Sequence, residues 1–196
     1  DSNREPEPVT AETTLQWKRQ CEGETCKRGL MFHDMGHGWT SIPFGFPGIN
    51  SVDNNFDMSW VTDEQKQVLA LVNGKRDFQR NAPIFTSVCM SRPDVRTTIA
   101  NSVAEYAENH RNVDFLHVWL SDGSNNHCEC EECVKKIPSD WYIMIMNEID
   151  EKLRERNLDT RIVFIAYTDT MFAPQTERIK NPERFSMLYA PIGRNY

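Results

Sequence analysis

The stretch from Phe115 to Cys133, FLHVWLSDGSNNHCECEEC, constrains the fold more than any other. Phe115, Leu116, Val118, Trp119 and Leu120 form an almost continuous apolar run, broken only by His117. Apolar residues at consecutive positions, rather than alternate ones, mark a strand covered on both faces, as in a parallel sheet flanked by helices. The run stops at Ser121-Asp122-Gly123-Ser124-Asn125-Asn126, all turn formers. Parallel strands of α/β folds carry their chemistry at the C-terminal lip. Asp122 therefore stands where a reactive carboxylate is expected, and Cys128, Cys130 and Cys133 follow on the same loop.

The surrounding chain repeats this alternation. Pro83 to Cys89 (PIFTSVC), Arg161 to Thr168 (RIVFIAYT) and Phe185 to Ala190 (FSMLYA) read as further strands, and Gly29 to His33 (GLMFH) as an earlier one. Ser91-Arg92-Pro93-Asp94 opens a helix whose apolar face is Val95, Ile99, Val103 and Tyr106. Ser139 is expected to cap a second helix to about Arg156, with Tyr142, Ile145, Met146, Ile149 and Leu153 as its buried stripe. Thr62 to Val72 reads as one helix capped by Thr62 or Asp63 and ended by the turn Asn73-Gly74. Ala11 to Gln20 reads as a short helix that buries Leu15 and Trp17, and Pro174 to Lys180 as at most a short one. Asp1 to about Val9 reads as a disordered lead-in, and Thr40 to Trp60 as a long irregular segment.

Strands alternating with helices imply right-handed βαβ units. The expected fold is α/β and TIM-barrel-like (β/α): an incomplete barrel of about five parallel strands with helices, a five-stranded open sheet being the alternative. Residues 1–28 are expected to form a lead-in with a short helix, and residues 29–196 the partial barrel. Arg194-Asn195-Tyr196 follow a strand with no helix to cover it, so the remainder of the parent chain is expected elsewhere. At 196 residues the chain can bury a sizeable core, and 39% hydrophobic with 26% charged residues reads as globular. A net charge of -7 without a basic stripe argues against nucleic acid. No apolar run is long enough to span a membrane, and the polar, acidic N-terminus has no signal-peptide pattern.

Each candidate group has a plainer alternative. Asp122 is a general acid or base, or a sugar-orienting group; an Asx-turn residue before Gly123 looks the same in sequence. Asp169, after the strand that ends at Tyr167 and Thr168, has the same two readings. His33 and His37, among glycines and beside Trp39, suit contact with a sugar, whose apolar face packs on an indole; a loop with merely exposed histidines is the alternative. Arg194 and Asn195 would share the lip after the last strand. Cys128, Cys130 and Cys133 could converge on zinc, with His127 or, better placed, Cys89 as the fourth ligand. Disulfides are the alternative in an oxidising compartment. Cys21 and Cys26 enclose a loop short enough for a local disulfide or for nothing.

A series of motifs also resembles one bacterial family. These are GHGW at Gly36 to Trp39, NGKR at Asn73 to Arg76, the Cys89 to Pro93 segment, the SDG…CECEEC block, the helix around Trp141 to Asn147, IAYTDTMFAP at Ile165 to Pro174 and APIGRNY at Ala190 to Tyr196. The family is the domain of unknown function numbered 4838, classed with glycoside hydrolase family 163. The resemblance implies a (β/α)-barrel domain of secreted, periplasmic or cell-surface bacterial proteins that cleaves N-acetylglucosamine-containing glycans, complex N-glycans above all. It implies a carbohydrate substrate, no cofactor for the chemistry, His37, Trp39, Asp122 and Tyr167 as pocket groups, and Cys89, Cys128, Cys130 and Cys133 as a set. A non-catalytic carbohydrate-binding module on the same scaffold, with a structural metal or disulfide cluster, is the alternative.

Overall fold

A computed structural model describes residues 9–34, 36–48 and 59–191. The expected lead-in over Asp1 to Pro8 lies outside the described residues, as do Arg194, Asn195 and Tyr196. The frame is a four-stranded, fully parallel sheet of β1 (His33–Asp34), β4 (Phe115–His117), β5 (Arg161–Ala166) and β6 (Phe185–Tyr189), in that order. Between β1 and β4 come a four-residue helix α2 (Asp63–Lys66), a hairpin of β2 (Leu71–Val72) and β3 (Lys75–Arg76), and the long helix α3 (Pro93–Asn109). Helix α4 (Pro138–Glu155) connects β4 to β5. No closed barrel forms among the described residues.

The inner strands are covered as their apolar pattern demands, whereas Met187, Leu188 and Tyr189 of β6 are exposed. Leu116, Ile162 and Phe185 stand in register and join the main core with Ile99 and Val103 of α3 and Ile145, Ile149 and Leu153 of α4. Side chains alternate across a strand, so Phe115, His117 and Val163 point to the opposite face, where they too are buried. The apolar stripe of α4 is wholly buried, as its spacing required.

A polar clamp docks α1 (Ala11–Lys27) on the sheet. Asp34, only 2% exposed, accepts from the Tyr106 hydroxyl at 2.6 Å and pairs with Lys18 and Arg19. Burial first, then the hydrogen bond to Asp34, raises the Tyr106 pKa to about 12. This helix runs well past Gln20, and Leu15 and Trp17 are exposed rather than buried. Cys21 and Cys26 lie on it as exposed free thiols.

Several expectations need correction. Pro83 to Cys89 is not a strand of the sheet, so among the described residues there are four parallel strands and not five. Pro83 opens a 3-10 turn, and only Val88 forms an antiparallel bridge, with Leu69. Its apolar residues Ile84, Val88 and Cys89 are nonetheless buried, Val88 in the main core, which yields the same run in sequence. The helix expected over Thr62 to Val72 ends at Lys66, although Thr62 and Gln65 form the capping box. The next residues are extended because Asn73 (φ 50°) and Gly74 (φ 75°) both take the positive φ of a tight hairpin turn, pairing Leu71 with Arg76. The first strand is His33–Asp34 rather than Gly29 to His33. Helix α4 starts at Pro138, and Ser139, inside it, donates to the Phe172 carbonyl at 2.5 Å instead of capping. Pro174 to Lys180 contains no helix.

Candidate functional site

Strand β4 stops at His117 rather than Ser121, and the loop that follows it carries Asp122 to Tyr167, the residue after β5. The Tyr167 hydroxyl lies between the Ser121 carbonyl at 3.0 Å and Asp122 Oδ1 at 3.3 Å. Burial and, second, the negative charge of Asp122 push the Tyr167 pKa well above that of an ordinary phenol, so it stays protonated and donates. His37 Nδ1 meets the Leu120 carbonyl at 2.7 Å, two residues before Asp122, and its ring stands edge-on to Trp119. Asp169 Oδ2 accepts from the Asn125 amide at 2.6 Å and lies 3.5 Å from His127 Nδ1. A cavity here is lined by Ser121, Asn126, His127, Trp141, Tyr167 and Asp169.

The loop is held by tight local geometry. A Cβ on Gly123 would come 2.6 Å from Asn126 Nδ2, so only glycine fits without displacing that side chain. The Asn126 amide donates to the Phe85 carbonyl at 2.7 Å and to Ser121 Oγ at 2.9 Å. Thr168, next to Tyr167, sits at φ 46°, a left-handed conformation unfavourable for a β-branched residue. Strain of this kind gathers at sites where the surrounding structure over-determines the backbone. The Thr168 hydroxyl donates to the Gly123 carbonyl at 3.3 Å, linking the two segments.

Two expected sugar-contact residues lie elsewhere. Trp39 is buried in the main core, donates its indole N–H to the His117 carbonyl at 3.1 Å, and stands edge-on to Tyr106. His33 is in register with Phe115, the first residue of β4, and stacks on its ring 4.4 Å away. Its Nδ1 is 3.1 Å from His117 Nε2, so one ring of the pair supplies the proton. Burial first, then the charge of His33, lowers the His117 pKa, which keeps it neutral.

Beside the lip, Cys89, Cys128, Cys130 and Cys133 converge, with their sulfurs within 4.8 Å of one another. All four are free thiols. This cluster could bind a metal. Cys89 is not at the end of a sheet strand as expected; it follows the Val88 bridge, which carries it to the same place. His127 stands apart, with its side chain about half exposed. Three contacts around the cluster were not legible in sequence. The Ser91 amide donates to Cys133 Sγ at 3.3 Å, the Ser91 hydroxyl lies 3.4 Å from Cys89 Sγ, and Arg76 Nη1 is 4.0 Å from Cys128 Sγ. Burial alone would lower the Arg76 pKa, but the sulfurs of Cys89 and Cys128 outweigh it and raise it. Among the four thiols themselves, hydrogen bonds from Cys128 and Cys133 push Cys89 down while Cys133 is pushed up. Four crowded thiols cannot all ionise without a cation between them.

A family model described as Domain of unknown function (DUF4838) matches residues 48–195. No curated protein and no solved structure matches the chain.

Proposed function

The chain belongs to the DUF4838 family, and we propose that it is a glycoside hydrolase domain acting on N-acetylglucosamine-containing glycans, with Asp122 as its working carboxylate. One observation carries this reading: the Tyr167 hydroxyl against Asp122 Oδ1 at 3.3 Å, on the segments that follow two neighbouring parallel strands. That contact engages one carboxylate oxygen, and in this reading the other takes the substrate. A carboxylate so placed can accept the N–H of a substrate acetamido group and turn its carbonyl oxygen toward the anomeric carbon, as in substrate-assisted retaining hydrolysis. That oxygen then forms the new bond as the leaving oxygen departs with a proton from an acid. Asp169, fixed by the Asn125 amide, is the second carboxylate on the same lip. His37 and Tyr167 are the sugar contacts of this reading, and the sheet is part of a (β/α) barrel. The cysteine cluster carries a structural zinc that takes no step in the reaction.

The test is release of product from an aryl N-acetylglucosaminide and from a complex N-glycan. Asp122→Asn is expected to slow turnover by on the order of a hundred-fold or more. Unimpaired turnover by that variant removes Asp122 from the chemistry. Glycan binding with no hydrolysis by the unaltered protein favours a carbohydrate-binding module instead.

A further inference from the structure

We infer that Cys89, Cys128, Cys130 and Cys133 close around one zinc ion, and that this ion clamps the loop that carries Asp122 to the segments on either side of Cys89. The inference extends the zinc assignment above and does not depend on any reaction at the lip.

The geometry fits a tetrahedron of sulfurs. Cys89 Sγ is 3.7 Å from Cys130 Sγ and 3.9 Å from Cys133 Sγ. A zinc–sulfur bond of about 2.3 Å requires tetrahedral edges of about 3.8 Å. A disulfide would need about 2.05 Å. The sulfurs also accept N–H donors, as bound thiolates do: Leu71 to Cys128 at 3.3 Å and Ser91 to Cys133 at 3.3 Å. Arg76 adds a positive charge beside Cys128, against the net double negative charge of a divalent ion with four thiolates. Every coordination position is filled by protein, which marks a structural site rather than a catalytic one.

The ion has a mechanical consequence. Three segments, 68–72, 84–89 and 122–129, are joined by backbone hydrogen bonds. Ala70 donates to the Ser87 carbonyl at 2.9 Å, Glu129 to Leu71 at 2.7 Å, and Asp122 to Ile84 at 2.8 Å. The buried apolar cluster beneath them is Ala70, Val72, Cys89, Cys128 and Cys133, and three of those five are the metal ligands. In that cluster the ligands outnumber the other buried apolar residues, Ala70 and Val72, so the ion is its main tie. The amide of Asp122 itself belongs to the hydrogen-bonded set, so the metal and the carboxylate are parts of one unit.

Elemental analysis of the protein purified under reducing conditions is expected to find one zinc per chain. Replacement by cobalt should give the intense sulfur-to-metal absorption of a tetrahedral thiolate site. Cys89→Ser and Cys133→Ser should weaken zinc binding on the order of a hundred-fold or more, and Arg76→Ala by about ten-fold. The variant Cys21→Ser/Cys26→Ser should keep full metal content. Chelation should speed hydrogen exchange at Ala70, Asp122 and Glu129 while Ile145 to Ile149 stay protected. An absence of metal with a mass reduced by disulfide formation overturns the inference, as does iron in place of zinc. Unchanged exchange at Asp122 after chelation overturns the clamping. All these readouts are independent of hydrolysis, so a silent glycosidase assay leaves them intact.

Discussion

The layer of α3 and α4 against the sheet and the layer above the strand tips are held by different physics. In the first, Ile99, Ile145, Ile149, Leu153 and Ile162 are completely buried and pack on one another across elements of regular structure. In the second, over 68–91 and 121–133, the regular elements are two-residue strands and 3-10 turns, and single hydrogen bonds and sulfur contacts join segments anchored by a few apolar residues such as Leu69 and Val88. Apolar packing is non-directional and tolerates small adjustments, so the first layer makes a rigid frame. Directed polar contacts fail one at a time, and each depends on a specific partner. The strained and perturbed groups, Thr168 and Tyr167, lie at the boundary of the two layers.

This contrast can be broken at several points. The largest effect is expected in the frame: Ile149→Ala should destabilise by about 2–5 kcal/mol, through lost transfer energy and the cavity left behind. Denaturant unfolding measures it, and a loss below 1 kcal/mol would mean the frame is not the stable layer. Next comes Asp140, 1% exposed, whose Oδ1 accepts the amides of Thr176 at 2.7 Å and Glu177 at 3.0 Å. Burial pushes its pKa up, but those amides outweigh burial and lower it. A lowered carboxyl pKa means the unfolded chain binds the proton more readily. The stabilisation is therefore present above the unfolded pKa of about 3.9 and is lost as pH falls through it toward the folded value. Asp140→Ala should cost about 1–3 kcal/mol near neutral pH and flatten the acid limb of the stability profile. A limb as steep as that of the unaltered protein would assign the acid sensitivity to other carboxylates.

At the boundary, Thr168→Gly should relieve the left-handed backbone and leave stability unchanged or raised by up to about 1 kcal/mol. Under the proposed function it should also lower turnover, because the link from its hydroxyl to Gly123 is gone. A raised melting temperature with unaltered turnover would mean that the strain serves no function at the lip. The smallest effect is expected on α1: Trp17, 52% exposed, should tolerate Ser within about 0.5 kcal/mol. A larger loss would show that this face is covered in solution.

The two layers also differ in how far they could be read from residues alone. Phe115 to His117, Arg161 to Ala166 and the stripe of α4 were legible because a period of 3.6 or an unbroken apolar run reports burial directly, although the run on to Leu120 is not strand. The turn at Asn73-Gly74 and the loop after Ser121 were legible from local backbone preference. Pro83 to Cys89 misled for the same reason that the others succeeded: an apolar run reports that a segment is buried, not what buries it. Leu69 to Val72 carried on an apparent helical pattern, yet became extended because Val88 and the turn after it offered pairing partners. Trp39 beside glycines and histidines suggested a ligand surface, but its indole fills the core.

Local periodicity and turn chemistry by themselves determined a parallel α/β frame, the position of Asp122 on the loop after a strand, and three closely spaced cysteines. Folding in three dimensions decided that Tyr167 meets Asp122 and that Cys89, 41 residues before Cys130, completes the sulfur cluster. The reason is physical: periodicity is written along the chain, whereas a polar contact or a ligand set exists only where distant segments arrive together.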